Sequence, residues 1–190
     1  MNRLSLVRTT GILFILMVIL SNIPYILLIQ TFEYDDILRE PVGNVLTKFQ
    51  AGGTQLILIW FAFGLSALLL IPASVLLYRV MNLSKRSAQK ETPGLVIAAL
   101  MGALSGLLQA VGLMRWVFVV PILANLYSDP SATATTQEIV SVVYQMVHQY
   151  GGVVIGECLG QTLLIGWTIG VGLAMLSSPL FKSWVAGWGC

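Results

Sequence analysis

Charge is scarce in this sequence. Its 190 residues include 10 Lys+Arg and 8 Asp+Glu, so 9% are charged, against roughly 25% in a soluble domain. Hydrophobic residues make up 57%. A soluble chain of this size could not cover its surface with so few charges. Lipid must be part of the solvent, and one membrane domain over residues 1–190 follows. The net charge of +2 and the lack of a basic patch with interleaved aromatics exclude nucleic acid as a partner. Histidine occurs once, as His148, and cysteine twice, as Cys158 and Cys190. One cysteine is mid-span and the other terminal, so no intrachain disulfide is expected. No CxxC or Cys/His ligand spacing exists, and these few residues cannot build a metal site within one chain. No nucleophile–base constellation or phosphate-cradling glycine loop is present, so the sequence assigns no enzyme activity. Cys158 lies in apolar surroundings, where thiols react poorly.

Long apolar runs are what the sequence has instead. About 20 residues at 1.5 Å each cross the roughly 30 Å hydrocarbon core. Four runs qualify, at about residues 11–30, 54–80, 95–121 and 153–176. The first continues past Ser21, Asn22 and Pro24 to Ile29 with no A-x-A site, so it reads as a retained helix rather than a signal peptide. In the second, Trp60 and Tyr78 suit the headgroup level and Pro72 marks a kink. The third apolar run, Leu95 to Leu126, would be about 48 Å long as one helix. It must tilt or break, with Pro121 as the break.

Two shorter amphipathic stretches separate the spans. Over about 41–50, Pro41 suits a first turn, and Val42, Val45, Leu46 and Phe49 share a face opposite Asn44 and Lys48. Ala51, Gly52 and Gly53 end that helix. Over about 137–150, Thr135 and Glu138 have capping-box spacing, which predicts a start there. Gln137, Ser141, Gln145 and Gln149 form a polar stripe, and Ile139, Val142, Val143 and Met146 an apolar side. Gly151-Gly152 closes it as a hinge. Both stretches read as interfacial helices. The expected fold is therefore an all-α integral membrane bundle of four transmembrane and two short interfacial helices. Phe49-Gln50-Ala51-Gly52-Gly53 aligns with His148-Gln149-Tyr150-Gly151-Gly152, a weak parallel repeat that either duplication or two unrelated hairpins would produce.

Positive charge sets the orientation. Arg3, Arg8, Arg79, Lys85, Arg86, Lys90 and Lys182 fall on one side, and Arg39 and Lys48 on the other. The positive-inside rule then places both termini in the cytoplasm, with the protein in the inner (plasma) membrane.

Few residues could carry chemistry. A charge within a span costs at least about 2.5–3.5 kcal/mol, so it ordinarily has a partner. Arg115 and Glu157 fall at similar depth in the third and fourth spans, and a salt bridge between them is expected. With Gln109 and Gln161 the pair either registers the helices, or forms an outward pocket for a headgroup or small polar ligand, or relays protons. Gly152, Gly156 and Gly160, with Gly102 and Gly106 in the third span, suit close intramolecular helix packing before dimerisation. His148 is a headgroup-level polar residue, or a haem or metal ligand, or a pH gate. A lone histidine argues only weakly for haem, and no cofactor is required. On a continuous helix His148 and Glu157 would point about 180° apart, so they converge only if Gly151-Gly152 breaks the helix.

The segments YDDILREP (Tyr34–Pro41), FQAGG (Phe49–Gly53), LLQAVGLMRWVFVVPILANLY (Leu107–Tyr127) and HQYGGVVIGECLG (His148–Gly160) resemble bacterial membrane proteins of the DUF4386 type. The resemblance runs from Gly11 to Trp188 and is most distinctive at Arg115-Trp116 and at His148 with Gly156-Glu157. It implies a small multi-pass protein with no assigned activity, adds Trp116 to the candidate residues, and implies a further apolar helix after Leu180–Trp188, where this sequence stops at Cys190. The expected function is a non-enzymatic membrane protein that binds a lipid, quinone or other hydrophobic ligand, or serves as an accessory subunit. A small transporter with a polar site around Arg115 and Glu157 is the alternative, and an intramembrane enzyme a third. Membrane lipids are the expected partners, with other membrane subunits or a second copy left open.

Overall fold

Helix α1 (Arg3–Phe32) begins where the Asn2 side chain accepts the Ser5 N–H at 2.8 Å. It runs through Pro24 and stops at Glu33, whose left-handed backbone (φ 54) caps it. The computed structural model describes residues 2–83 and 93–176. The expected basic loop with Lys85, Arg86 and Lys90, and the tail with Pro179, Lys182 and Cys190, lie outside the described residues.

A 3₁₀ turn (Ile37–Arg39) leads through Pro41 into α2 (Val42–Leu68). Val45, Leu46 and Phe49 are buried, as their shared face predicts, but against protein rather than at a lipid interface. Gly53 bends this helix with φ 53 and ψ −149, which side-chain-bearing residues rarely adopt. A Cβ there would meet nothing within 4 Å. The expected cost of Gly53→Ala is therefore backbone strain alone, about 1–3 kcal/mol. Thermal unfolding in detergent checks this, with Gly11→Ala, also in open space but helical, as the harmless control.

Two prolines interrupt later helices where they lack an N–H and crowd the carbonyl four residues back. Leu69 separates α2 from α3 (Leu70–Leu83), just ahead of Pro72. Val119 separates α4 (Pro93–Phe118) from α5 (Val120–Tyr127), just ahead of Pro121. In the following loop Asp129 accepts from the Ser131 N–H at 2.7 Å and from its hydroxyl, which hold the carboxyl below its usual range. Helix α6 (Ala134–Val147) starts two residues earlier than the capping-box spacing implied. Thr133, not Thr135, is its cap, and its hydroxyl accepts the Thr136 N–H at 3.2 Å.

The hinge expected at Gly151-Gly152 is replaced by a π-helix, His148–Leu159, which continues into α7 (Gly160–Leu176). The cause is legible in the packing. Val140, Tyr144, Gly152, Gly156 and Gly160 are buried, and His148, half-buried, completes a stripe with a strict four-residue period. On an α-helix such a stripe drifts by about 40° per step. The wider i→i+5 turns of a π-helix wind it back. Ile139, Val142, Val143 and Met146, the expected apolar side of the interfacial helix, are exposed on the face away from this stripe.

Four helical stretches are long and apolar enough to cross a membrane: Arg3–Phe32, Val42–Asn82, Pro93–Tyr127 and Ala134–Leu176. The chain is a helical membrane bundle in which α4 packs against α2, α3 and α7. Its largest buried core lies at the end holding the 33–41 and 128–133 loops. That end includes Trp60, which is fully buried and not a headgroup anchor.

Candidate functional site

The buried end of the bundle is built from aromatic rings. Trp60 of α2 and Trp116 of α4 stack with centroids 4.6 Å apart and planes 9° apart. Phe32 of α1 meets Trp116 edge-on at 5.4 Å, and Phe49 stacks on it at 5.7 Å. Tyr34 closes on Trp60 at 5.0 Å, and burial, with Asp35 beside it, pushes its hydroxyl up to about 12. From the other side Tyr144 and His148 stack on each other at 5.6 Å and approach Trp116 at 6.2 and 6.4 Å. Phe49 and His148, the aligned positions of the weak repeat, thus converge on one indole.

Arg115 enters this cluster beside Trp116, with its guanidinium carbon 5.4 Å from the ring centroid. It is only 7% exposed. Nη1 donates to the Gly112 carbonyl. The guanidinium packs against Gly152, where a Cβ would lie 2.5 Å from Cζ. The four-residue stripe therefore delivers Tyr144 and His148 to the indole and a bare backbone to the cation.

Several polar atoms here have no partner among the described residues. Arg115 Nε, Trp60 Nε1, Trp116 Nε1 and His148 Nδ1 are all buried and unbonded. Three of the four can only donate. A buried donor without an acceptor costs about 1–3 kcal/mol, and native proteins carry few.

The expected salt bridge between Arg115 and Glu157 does not form. The ion pairs among the described residues are Arg39 with Asp36 at 3.7 Å and Lys48 with Glu33 at 2.5 Å. Glu157 is exposed, as is Gln161. The reason is the unbroken helix: His148 and Gly156 turn toward α4, so Glu157 turns away. Gln109 also leaves the expected group. Its Nε2 donates to the Ser105 hydroxyl at 2.8 Å, which donates to the Gly160 carbonyl at 2.8 Å.

The glycines hold the helices close. A Cβ on Gly112 would lie 2.6 Å from the Gly156 Cα, and one on Gly160 2.8 Å from Gln109 Cγ. One on Gly106 would lie 2.7 Å from the Ala67 carbonyl oxygen, and one on Gly102 2.6 Å from Trp167 Cδ1. Two adjoining grooves of about 480 and 340 Å³ lie between α1 and α2, sharing Ile23, Pro24 and Ala62. Neither touches the residues singled out from sequence. Sequence reasoning missed Trp60 and Tyr144. The four-residue period through Tyr144 and His148 was the signal that could have found the second.

Residues 9–190 match the family described as Domain of unknown function (DUF4386), and the chain belongs to it. No curated protein and no solved structure matches the chain.

Proposed function

We propose that this protein is a non-enzymatic binding protein of the membrane. It holds an amphipathic molecule drawn from the lipid, such as a lipid or quinone, at the Trp60–Trp116–Arg115 cluster. One observation carries this reading: four buried polar atoms without partners gather in a single aromatic cluster. A ligand acceptor placed among them would remove several desolvation costs at once. The aromatic walls would supply contact area for its apolar part. The transporter alternative relied on Arg115 and Glu157 sharing a site, and the exposure of Glu157 leaves it without support.

The charge count supports cytoplasmic termini, and in an inner (plasma) membrane that orientation would put the cluster in the outer half. Native mass spectrometry of the full chain, released in a mild detergent, tests the binding role. Wild type is expected to retain a small molecule that the Trp60→Phe, Trp116→Phe double variant loses. Equal ligand-free spectra from both proteins would end this reading, and a stoichiometric polypeptide in place of a small molecule would favour an accessory subunit.

A further inference from the structure

We infer that the acceptor bound at this cluster is an oxyanion, a carboxylate or phosphate carried on an apolar chain, with Arg115 as its counter-charge; the inference rests on the binding role proposed above. Arg115 is a buried guanidinium, and guanidinium groups stay protonated in proteins. The ionisable groups near enough to act on it are Tyr34, Tyr144, His148 and Glu157. The first three are neutral or cationic. Glu157 is exposed and makes no ion pair with it. Unpaired buried charge is far more costly than an unpaired neutral dipole. A quinone carbonyl would satisfy the N–H groups and leave the charge uncompensated.

The geometry of the donors agrees. Nη1 is already spent on the Gly112 carbonyl, while Nε is free. Both indole N–H groups of the stacked Trp60–Trp116 pair are free as well. These three N–H groups can only donate, which suits a group that presents lone pairs to them. Gly152 sets bare backbone beside the guanidinium, where any side chain would collide with it.

The test uses the full chain, stripped of lipid in a neutral detergent, with four probes: palmitate, hexadecyl phosphate, methyl palmitate and a decyl-substituted benzoquinone. The unfolding temperature and tryptophan fluorescence report binding. Palmitate, hexadecyl phosphate or both are expected to bind, and which of them does so identifies the source of the oxyanion. Arg115→Gln is expected to weaken the anion by about tenfold or more, the scale of a charge-assisted bond. Trp116→Phe keeps the ring, loses the N–H, and is expected to weaken it by about threefold to tenfold. Glu157→Gln is expected to bind as wild type does. Should Arg115→Gln fail to fold, the Trp116→Phe and Glu157→Gln arms still decide. Tight binding of the methyl ester or the benzoquinone, equal to that of the anions, overturns the oxyanion assignment and leaves the binding role standing. Silence from all four probes overturns both. Wild-type affinity in a folded Arg115→Gln variant overturns the assignment alone.

Discussion

Truncating Trp116 to alanine is expected to destabilise the folded bundle by about 3 kcal/mol, the lower end of the range for large aromatics cut back in a core. The indole is fully buried and meets rings from four other elements: Phe32 of α1, Phe49 and Trp60 of α2, Tyr144 of α6 and His148 of the π-helix. Its removal empties the centre of the core rather than trimming an edge. The lower end applies because lipid is as apolar as the core, so the water-transfer term shrinks and lost dispersion contacts carry the cost. Arg115 would also lose the ring it lies beside. Phe118, two residues along the same helix, is 63% exposed and provides the comparison. Detergent unfolding midpoints that fall equally for Trp116→Ala and Phe118→Ala would mean the aromatic cluster is not the core it looks like.

The second large effect is expected where α4 crosses the π-helix. A Cβ on Gly112 would lie 2.6 Å from the Gly156 Cα and 3.0 Å from the Gly151 carbonyl oxygen. Both are backbone atoms, so no rotamer change can make room and one helix must move. Gly112→Ala is expected to cost about 1–3 kcal/mol, and Gly112→Leu to prevent the fold. Gly156→Ala should cost less, because its Cβ would sit 3.2 Å from the Gly112 Cα. Gly172→Ala, in open space on α7, should be silent. The ranking Gly112 above Gly156 above Gly172 is read from unfolding midpoints or from the yield of monodisperse protein. A flat series would show that the two helices do not approach as closely as drawn.

How much of this was legible in the sequence follows from which periodicities were simple. The four apolar runs and the lack of strands among the described residues were, because hydropathy over about 20 residues needs no tertiary information. The bend at Gly53 was also readable, since two glycines after an amphipathic face mark a stop. Arg115, Trp116 and His148 were singled out and lie together, the first as a charge in an apolar run. Its partner was misjudged. Similar depth in the third and fourth spans points to Glu157, but depth does not fix which way a side chain faces, and Glu157 is exposed. Trp60 was placed at the headgroups because amphipathic rings prefer them. A tertiary fact, the stack with Trp116, overrode that preference. Tyr144 falls outside both the polar stripe of Gln137, Ser141, Gln145 and Gln149 and the apolar side of Ile139, Val142, Val143 and Met146, although it begins a four-residue stripe of its own with His148.

That four-residue period has a mechanical consequence. From Tyr144 to Gly160 the stripe takes four steps, and on an α-helix its ends would face about 160° apart. The π turns cancel this rotation, so one neighbouring helix receives both ends. The long helix therefore behaves as a wound torsion element. Were the π turns to relax to α, Tyr144 and His148 would swing off the indole or the glycines would swing off α4, and the two contacts could not both survive. The π turns of 148–159 and the seat of Arg115 against Gly152 therefore depend on the same winding.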